Sequence, residues 1–239
     1  MVTLSVRNLV KDFGKTRAVD DISFEVNEGE IFGLIGPNGA GKTTTLRVIS
    51  TLLKPNSGKV QVFGFDVVNN ASRVRELISY LPEEAGAYKN LKGIDYLEFM
   101  AEFYATDLRH KKKMIERAVA IADLGQKIYD RVHTYSKGMV RKLLIARALM
   151  HSPRLAILDE PTSGLDVVNS LEVRRIIMEY AKTGTTVLLS SHNMLEVEFL
   201  SHRVGIINKG KILKIGIPEE LKKEQNARNL EEVFLEEIK

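Results

Sequence analysis

The sequence contains no cysteine. Disulfides, thiolate-bound metals and cysteine nucleophiles are therefore excluded. No apolar run approaches the roughly 18 residues that a membrane-crossing helix needs, and no secretory signal opens the chain. A cytoplasmic address is the simplest expectation. Internal repeats and low-complexity tracts are also lacking. So is a strong charge of one sign: the net charge is +4, and basic residues are interspersed with acidic ones. The main basic run, Arg109–Lys113, reads as the solvated start of a helix that carries Ile115, Ala118, Val119 and Ala122 on one face. Charge thus gives no argument for nucleic acid. What is present, 239 residues with 44% hydrophobic and 28% charged content, suits one large domain or a core with a smaller lobe.

Apolar patterning divides the chain into blocks. Residues 2–35 read as antiparallel strands, with Ile22–Val26 alternating apolar and polar. Residues 59–68 continue that pattern around Gly58 and Gly64, both read as turn glycines. From Gly93 to about Asp123 the period becomes helical, with Ile94, Leu97, Met100 and Ala101 on one face. Beyond Arg154, short aliphatic runs at Leu155–Leu158, Thr185–Ser190 and Val204–Ile207 alternate with helical segments. That alternation predicts a mostly parallel sheet covered by helices. The expected fold is α/β, with residues 1–82 and 152–220 as the core and its β-subdomain. Residues 83–151 are read as a helical insertion and 221–239 as a helical tail.

The most specific motif runs through Gly36, Pro37, Asn38, Gly39, Ala40, Gly41, Lys42, Thr43 and Thr44. It fits G-x-x-x-x-G-K-[ST] and lies between a buried strand, Ile31–Ile35, and a helix read from Thr44 onward. Such a loop wraps backbone N–H groups around a phosphate chain, and the helix N-terminus adds its positive dipole end. Lys42 would reach the β- and γ-phosphates and the Thr43 hydroxyl one Mg²⁺ position. The ligand implied is a nucleoside triphosphate.

Two further constellations join it. Leu155–Leu158 is an apolar strand ending in Asp159 and Glu160. A charge there is costly without a partner, and Mg²⁺ beside a triphosphate is one. Asp159 would hold the ion and Glu160 would polarise the attacking water; a capping role at a strand-to-helix turn is the alternative. Ser136 is a natural N-cap for a helix over Val140–Leu149, and Gly138 permits close backbone approach. This second turn is either a plain capped helix, with Leu143, Ala146 and Met150 facing a core, or a phosphate cradle serving a neighbouring subunit.

Taken in order, these motifs resemble those of the ATP-binding cassette (ABC) ATPases over nearly the full chain. Gly36–Thr44 corresponds to the family's Walker A loop, Leu155–Asp159 to Walker B, and Glu160 to its catalytic glutamate. Ser163–Asp166 matches the D-loop and His192 the switch histidine that meets the γ-phosphate. Tyr135–Met139 stands where Leu-Ser-Gly-Gly-Gln is usual, and Phe13 where an aromatic stacks on adenine. Three departures stand out. Lys137 and Met139 replace Gly and Gln in the signature, Phe13 lacks the usual Tyr hydroxyl, and Glu83 replaces the Q-loop glutamine. A carboxylate at 83 would still contact Mg²⁺ or water. Leu81–Glu84 and Asn229–Leu235 resemble segments of ABC-2-type exporter subunits.

The resemblance implies a P-loop NTPase core with an N-terminal antiparallel β-subdomain and an inserted helical subdomain. It implies ATP and Mg²⁺, pairing with an identical or homologous ATPase subunit, and transmembrane permease partners at the inner face of the cell membrane. Ser136, Gly138 and Asp166 would act at the subunit interface, and Glu83 to about Tyr104 would meet the permease. No nucleic acid is expected: too few positions separate Glu83 from Ser136 for the long coiled coil of DNA-repair relatives. A soluble cassette serving cofactor assembly, or a nucleic-acid- or ribosome-associated process, is the alternative. The aromatics Tyr96, Phe99, Phe103 and Tyr104 either pack a core or meet a partner. The other histidines are read as structural.

Overall fold

A computed structural model describes residues 1–239. The chain runs β1 (Val2–Phe13), β2 (Thr16–Asn27), β3 (Ile31–Ile35), α1 (Lys42–Ile49), β4 (Ser57–Val62), β5 (Phe65–Asp66), α2 (Ala71–Leu77) and β6 (Ile78–Leu81). Three longer helices follow, α3 (Gly93–Ala101), α4 (Leu108–Ala122) and α5 (Lys137–Leu149), with two short 3-10 turns between α4 and α5. Then come β7 (Leu155–Asp159), α6 (Val167–Ala181), β8 (Thr186–Ser191), α7 (Met194–Leu200), β9 (Arg203–Asn208), β10 (Lys211–Gly216), α8 (Pro218–Gln225) and α9 (Leu230–Glu237).

Two sheets result. One is antiparallel, in the order β2-β1-β4-β5. The other runs β10-β9-β3-β8-β7-β6, parallel except for the β9–β10 hairpin. The expected α/β class with a mostly parallel sheet and an antiparallel β-subdomain is what the chain adopts. One assignment inside it changes. β3 does not belong with the antiparallel strands before it; it pairs in parallel with β8 and β9. All five of its residues are buried, as are all of those in β7 and β8, which marks strands covered on both faces. β2 instead alternates, with Ile22, Phe24 and Val26 buried and Ser23 and Glu25 exposed, because one of its faces meets water.

The parallel sheet separates two cores. On one side Phe32, Leu34, Ile157 and Leu188 pack with Leu46 and Ile49 of α1 and with the antiparallel sheet. On the other, Ile35, Leu158 and Leu189 meet Leu144 of α5, Ile177 of α6 and Val197 of α7. The helical segment joins this second core through Leu97, Ala101, Met114, Ala118 and Ala122, all fully buried. Tyr96 is buried with them, whereas Phe99, Phe103 and Tyr104 remain exposed. Tyr104 stacks flat on His151, with centroids 4.3 Å apart.

Two smaller expectations also change. The helix after the glycine-rich loop begins at Lys42, not Thr44, and α8 begins at Pro218, where a proline suits the first helical turn. Gly58 is not in a turn: it lies within β4 at φ +89°, pressed against the Asn8 backbone, whereas Gly64 (φ +81°) does turn the chain and has open space around its Cα. The two glycines should therefore respond differently to alanine. Gly64→Ala should cost only the left-handed backbone penalty, about 1–2 kcal/mol. Gly58→Ala should cost visibly more, because a Cβ must also displace backbone. Urea midpoints of the two variants check this, and equal shifts would contradict the assignment.

Candidate active site

The site sits where three adjacent parallel strands end. Ile35 of β3 is the register partner of Ser191 in β8, and Asp159 of β7 is the partner of Ser190. The loop after β3, the carboxylates ending β7 and the histidine after β8 therefore emerge side by side, in the crevice where open α/β sheets bind ligands.

The glycine-rich loop is moored on two sides. The Gly36 N–H donates to the Ser191 carbonyl (3.3 Å), and the Ala40 carbonyl accepts from Gly210 N in the β9–β10 turn (2.9 Å). Gly36 passes so close to the Ile207 carbonyl that no Cβ fits, and Gly41 takes φ +106° against the Ala18 carbonyl. No side chain caps α1, so the first amides of the helix stay available to an anion. A cavity of about 420 Å³ opens over this loop, lined by Phe13, Ala18, Asn38–Thr44, Glu83 and Glu160. Phe13 stands at its rim, 49% exposed, with Lys11 Nζ 5.2 Å from its ring centroid. Larger clefts exist elsewhere, one of about 960 Å³ between α4, α6 and the start of β7, but they contain no phosphate-binding loop.

Lys42 lies at the floor. Its ammonium donates to the Gly36 (2.7 Å) and Pro37 (3.2 Å) carbonyls and sits 3.3 Å from Glu160 Oε1. Both side chains are 5% exposed, so this is a buried ion pair. The other Glu160 oxygen lies 2.9 Å from His192 Nδ1. Glu160 itself takes φ +49°, a strained backbone conformation for a non-glycine residue, and its N–H is held by Ser190 through both carbonyl and hydroxyl, each at 3.2 Å. One step back, the Asp159 carboxylate accepts three hydroxyls: Ser190 (2.6 Å), Thr43 (3.1 Å) and Tyr80 (3.2 Å). Burial, then the nearby Asp159 charge, push the Tyr80 phenol up to about 12, which keeps it a hydrogen-bond donor.

The structure thus brings together Phe13, Gly36–Thr44, Asp159, Glu160 and His192. Glu83 lines the same cavity, but its carboxylate accepts the Ser163 hydroxyl (3.2 Å) and does not meet Thr43 or Asp159; its carbonyl accepts from Arg141 of α5 (3.1 Å). Ser136, Gly138 and Asp166 do not line this cavity. Ser136 caps α5, accepting from Met139 N, and Asp166 caps α6, accepting from Asn169 N. The Asn169 backbone N–H, then its side-chain amide, hold the Asp166 carboxyl below its ordinary range. Sequence reading missed Tyr80 and Ser190; the register pairing of β7 with β8 is the signal that would have placed Ser190 opposite Asp159.

Comparison with known proteins decides the family: the ABC transporter profile matches residues 19–163. The chain belongs to the ABC transporter family. It is 39% identical over 229 residues to the bacitracin transport ATP-binding protein BcrA of Bacillus licheniformis, covering 95% of this chain and 74% of that one. It is 37% identical over 218 residues to the linearmycin resistance ATP-binding protein LnrL of Bacillus subtilis, covering 91% and 70%. A solved ATP-binding subunit of an ABC transporter superimposes with a TM-score of 0.87 at 27% identity, covering 99% of this chain and all of that one. The protein is an ATP-binding, ATP-hydrolysing subunit of an ABC transporter. Among solved cassettes of similar fold, one is part of a larger ABC transporter complex and another is a dimer bound to ADP and phosphate. No helix here is long and apolar enough to cross a membrane.

The hydroxyls around Asp159 carry a direct prediction. Ser190→Ala removes the shortest of the three donors to Asp159 and one acceptor for Glu160 N. A hydrogen bond to a charged group contributes about 1.5–3 kcal/mol, so turnover should fall by roughly tenfold or more with the fold intact. ATPase rates beside thermal melts check this; unchanged turnover would remove Ser190 from the site.

Proposed function

We propose that Lys42 is held by Glu160 until a triphosphate replaces that carboxylate, and that this exchange prepares the site for hydrolysis. The buried Lys42–Glu160 pair carries the reading. A buried ammonium must keep a counter-charge. When the β- and γ-phosphates enter over Gly36–Thr44, they supply that charge, with Phe13 stacking on the adenine. Glu160, now released from Lys42 but still beside His192, is free to orient and deprotonate the attacking water. His192, bonded to Glu160, would meet the γ-phosphate. The residues present fit Mg²⁺: the Thr43 hydroxyl, which lines the cavity, donates to the buried Asp159 carboxylate, and both are oxygen ligands of the kind this ion takes. Bound there, Mg²⁺ would offset negative charge on the β- and γ-phosphates.

The turn at Ser136 and Gly138 and the loop at Asp166 lie outside this cavity, which supports their acting across a dimer on the neighbour's nucleotide. Each ATP would then be enclosed by Lys42 of one copy and Ser136 and Gly138 of the other, in a homodimer or a pair with a homologous subunit. Glu83 is bonded both to Ser163 and to Arg141 of α5, which suits it to report movement of the helical segment to the site. Transmembrane permease subunits would come from another chain and dock near Glu83–Tyr104, placing this subunit at the inner face of the cell membrane. Export is the direction that the bacitracin and linearmycin relatives support.

Glu160→Gln should retain ATP binding and lower hydrolysis by about 10²–10⁴-fold, the scale of a lost acid–base group. With ATP its mass by light scattering should be twice that of the single chain. Near-normal turnover would remove Glu160 from its role, and a single-chain mass with ATP would remove the dimer. Glu83→Gln should lower the dependence of hydrolysis on Mg²⁺ concentration while preserving nucleotide binding. Superimposable Mg²⁺ curves for Glu83→Gln and wild type would deny Glu83 any contact with the ion or its water.

A further inference from the structure

The N-termini of α5 and α6 meet at one glycine and one asparagine. Gly138 is buried in the first turn of α5, and a Cβ built on it would land inside the Asn169 carboxamide, against its Oδ1 and Cγ. Asn169 is held in place by Asp166. Its Nδ2 donates to Asp166 Oδ2 at 2.6 Å, and its backbone N–H donates to Asp166 Oδ1 at 2.9 Å. The same carboxylate therefore caps α6 and holds the side chain that fills the space beside Gly138.

We propose that Asn169 is a positioning residue that joins the Ser136–Gly138 turn to the Asp166 loop as one rigid unit, and that residue 138 is glycine to accommodate Asn169 of its own chain. The proposal rests on the reading of that turn as the half of the site presented to a neighbouring subunit. Two segments that must meet a partner's nucleotide together gain accuracy when they cannot move separately. The obvious competing reason for a glycine at 138 is close approach of its backbone to a phosphate. The two reasons differ in where the missing side chain would point. Here it points at α6, so the obstacle lies within the same subunit and can be removed from the other side.

The test uses the full chain with Gly138→Ala, Asn169→Gly, Asn169→Ala and the double variant Gly138→Ala/Asn169→Gly. Gly138→Ala should lower kcat by about tenfold or more and leave ATP binding by the single chain unchanged. The double variant should be more active than Gly138→Ala and match Asn169→Gly alone, a non-additivity expected of side chains that share space. Asn169→Ala, which keeps the glycine, should weaken ATP-dependent dimerisation in the Glu160→Gln background without changing nucleotide binding by the single chain. Two results would overturn the proposal: a double variant no more active than Gly138→Ala, which assigns the glycine to the phosphate, or an Asn169→Ala protein that dimerises as well as its parent. If Glu160→Gln with intact Asn169 fails to dimerise with ATP, the reading of the turn as acting in trans falls, and this inference with it.

Discussion

The pair formed by Lys42 and Glu160 sets the terms for everything around it. An ammonium and a carboxylate 3.3 Å apart with almost no access to water are tolerated only because each neutralises the other. The Gly36 and Pro37 carbonyls complete the ammonium's hydrogen bonds, and His192 takes the carboxylate's other oxygen. The charges of the site are therefore balanced within the site itself. A ligand that displaces Glu160 must bring at least one negative charge to the same place, which a triphosphate does and a neutral molecule cannot.

Backbone architecture makes that pair possible. Lys42 begins the helix after β3 and Glu160 follows β7, with β8 lying between the two strands in the sheet. Parallel register fixes the ends of the three strands at the same level, so small loops suffice to bring distant parts of the sequence within hydrogen-bond reach. The strain at Glu160 fits this picture: its left-handed backbone is held by two bonds from Ser190 and re-aims the carboxylate from the Asp159 side toward Lys42. A second brace lies behind it, where Glu196 of α7 accepts the Thr162 hydroxyl at 2.7 Å and faces Arg174 of α6 at 3.3 Å. Glu196 thereby ties the segment after Glu160 to α7, which follows His192, and α7 to α6.

Much of this was legible from residue order. Short aliphatic runs alternating with helical segments gave the buried strands, and the phosphate loop, Asp159, Glu160 and His192 were found because their chemistry is local and their spacing constrained. The cap at Ser136 was legible for the same reason: it bonds an amide three residues on. What escaped was set by pairing across the sheet. β3 looked like a continuation of the hairpin before it, because a five-residue apolar strand carries no mark of the direction of its neighbours. Tyr80 and Ser190 are ordinary strand residues until register places their hydroxyls on Asp159. Gly58 read as a turn because the sequence does not reveal that Asn8 crosses over it. Glu83 was legible as a departure from the family, but its attachment to Ser163 and Arg141 depends on how α5 packs against the core.

The claim that ATP competes with Glu160 for Lys42 is tested most directly by a double-mutant cycle on affinity for a non-hydrolysable ATP analogue. Wild type, Glu160→Gln, Lys42→Gln and the double variant would be titrated as single chains by calorimetry. With Lys42 present, Glu160→Gln should tighten binding by about tenfold, a change of about 1.4 kcal/mol, because the phosphates no longer displace a carboxylate. With Lys42 absent, the same substitution should lose most of that gain. An equal effect in both backgrounds, or weaker binding by Glu160→Gln in the presence of Lys42, would contradict the account.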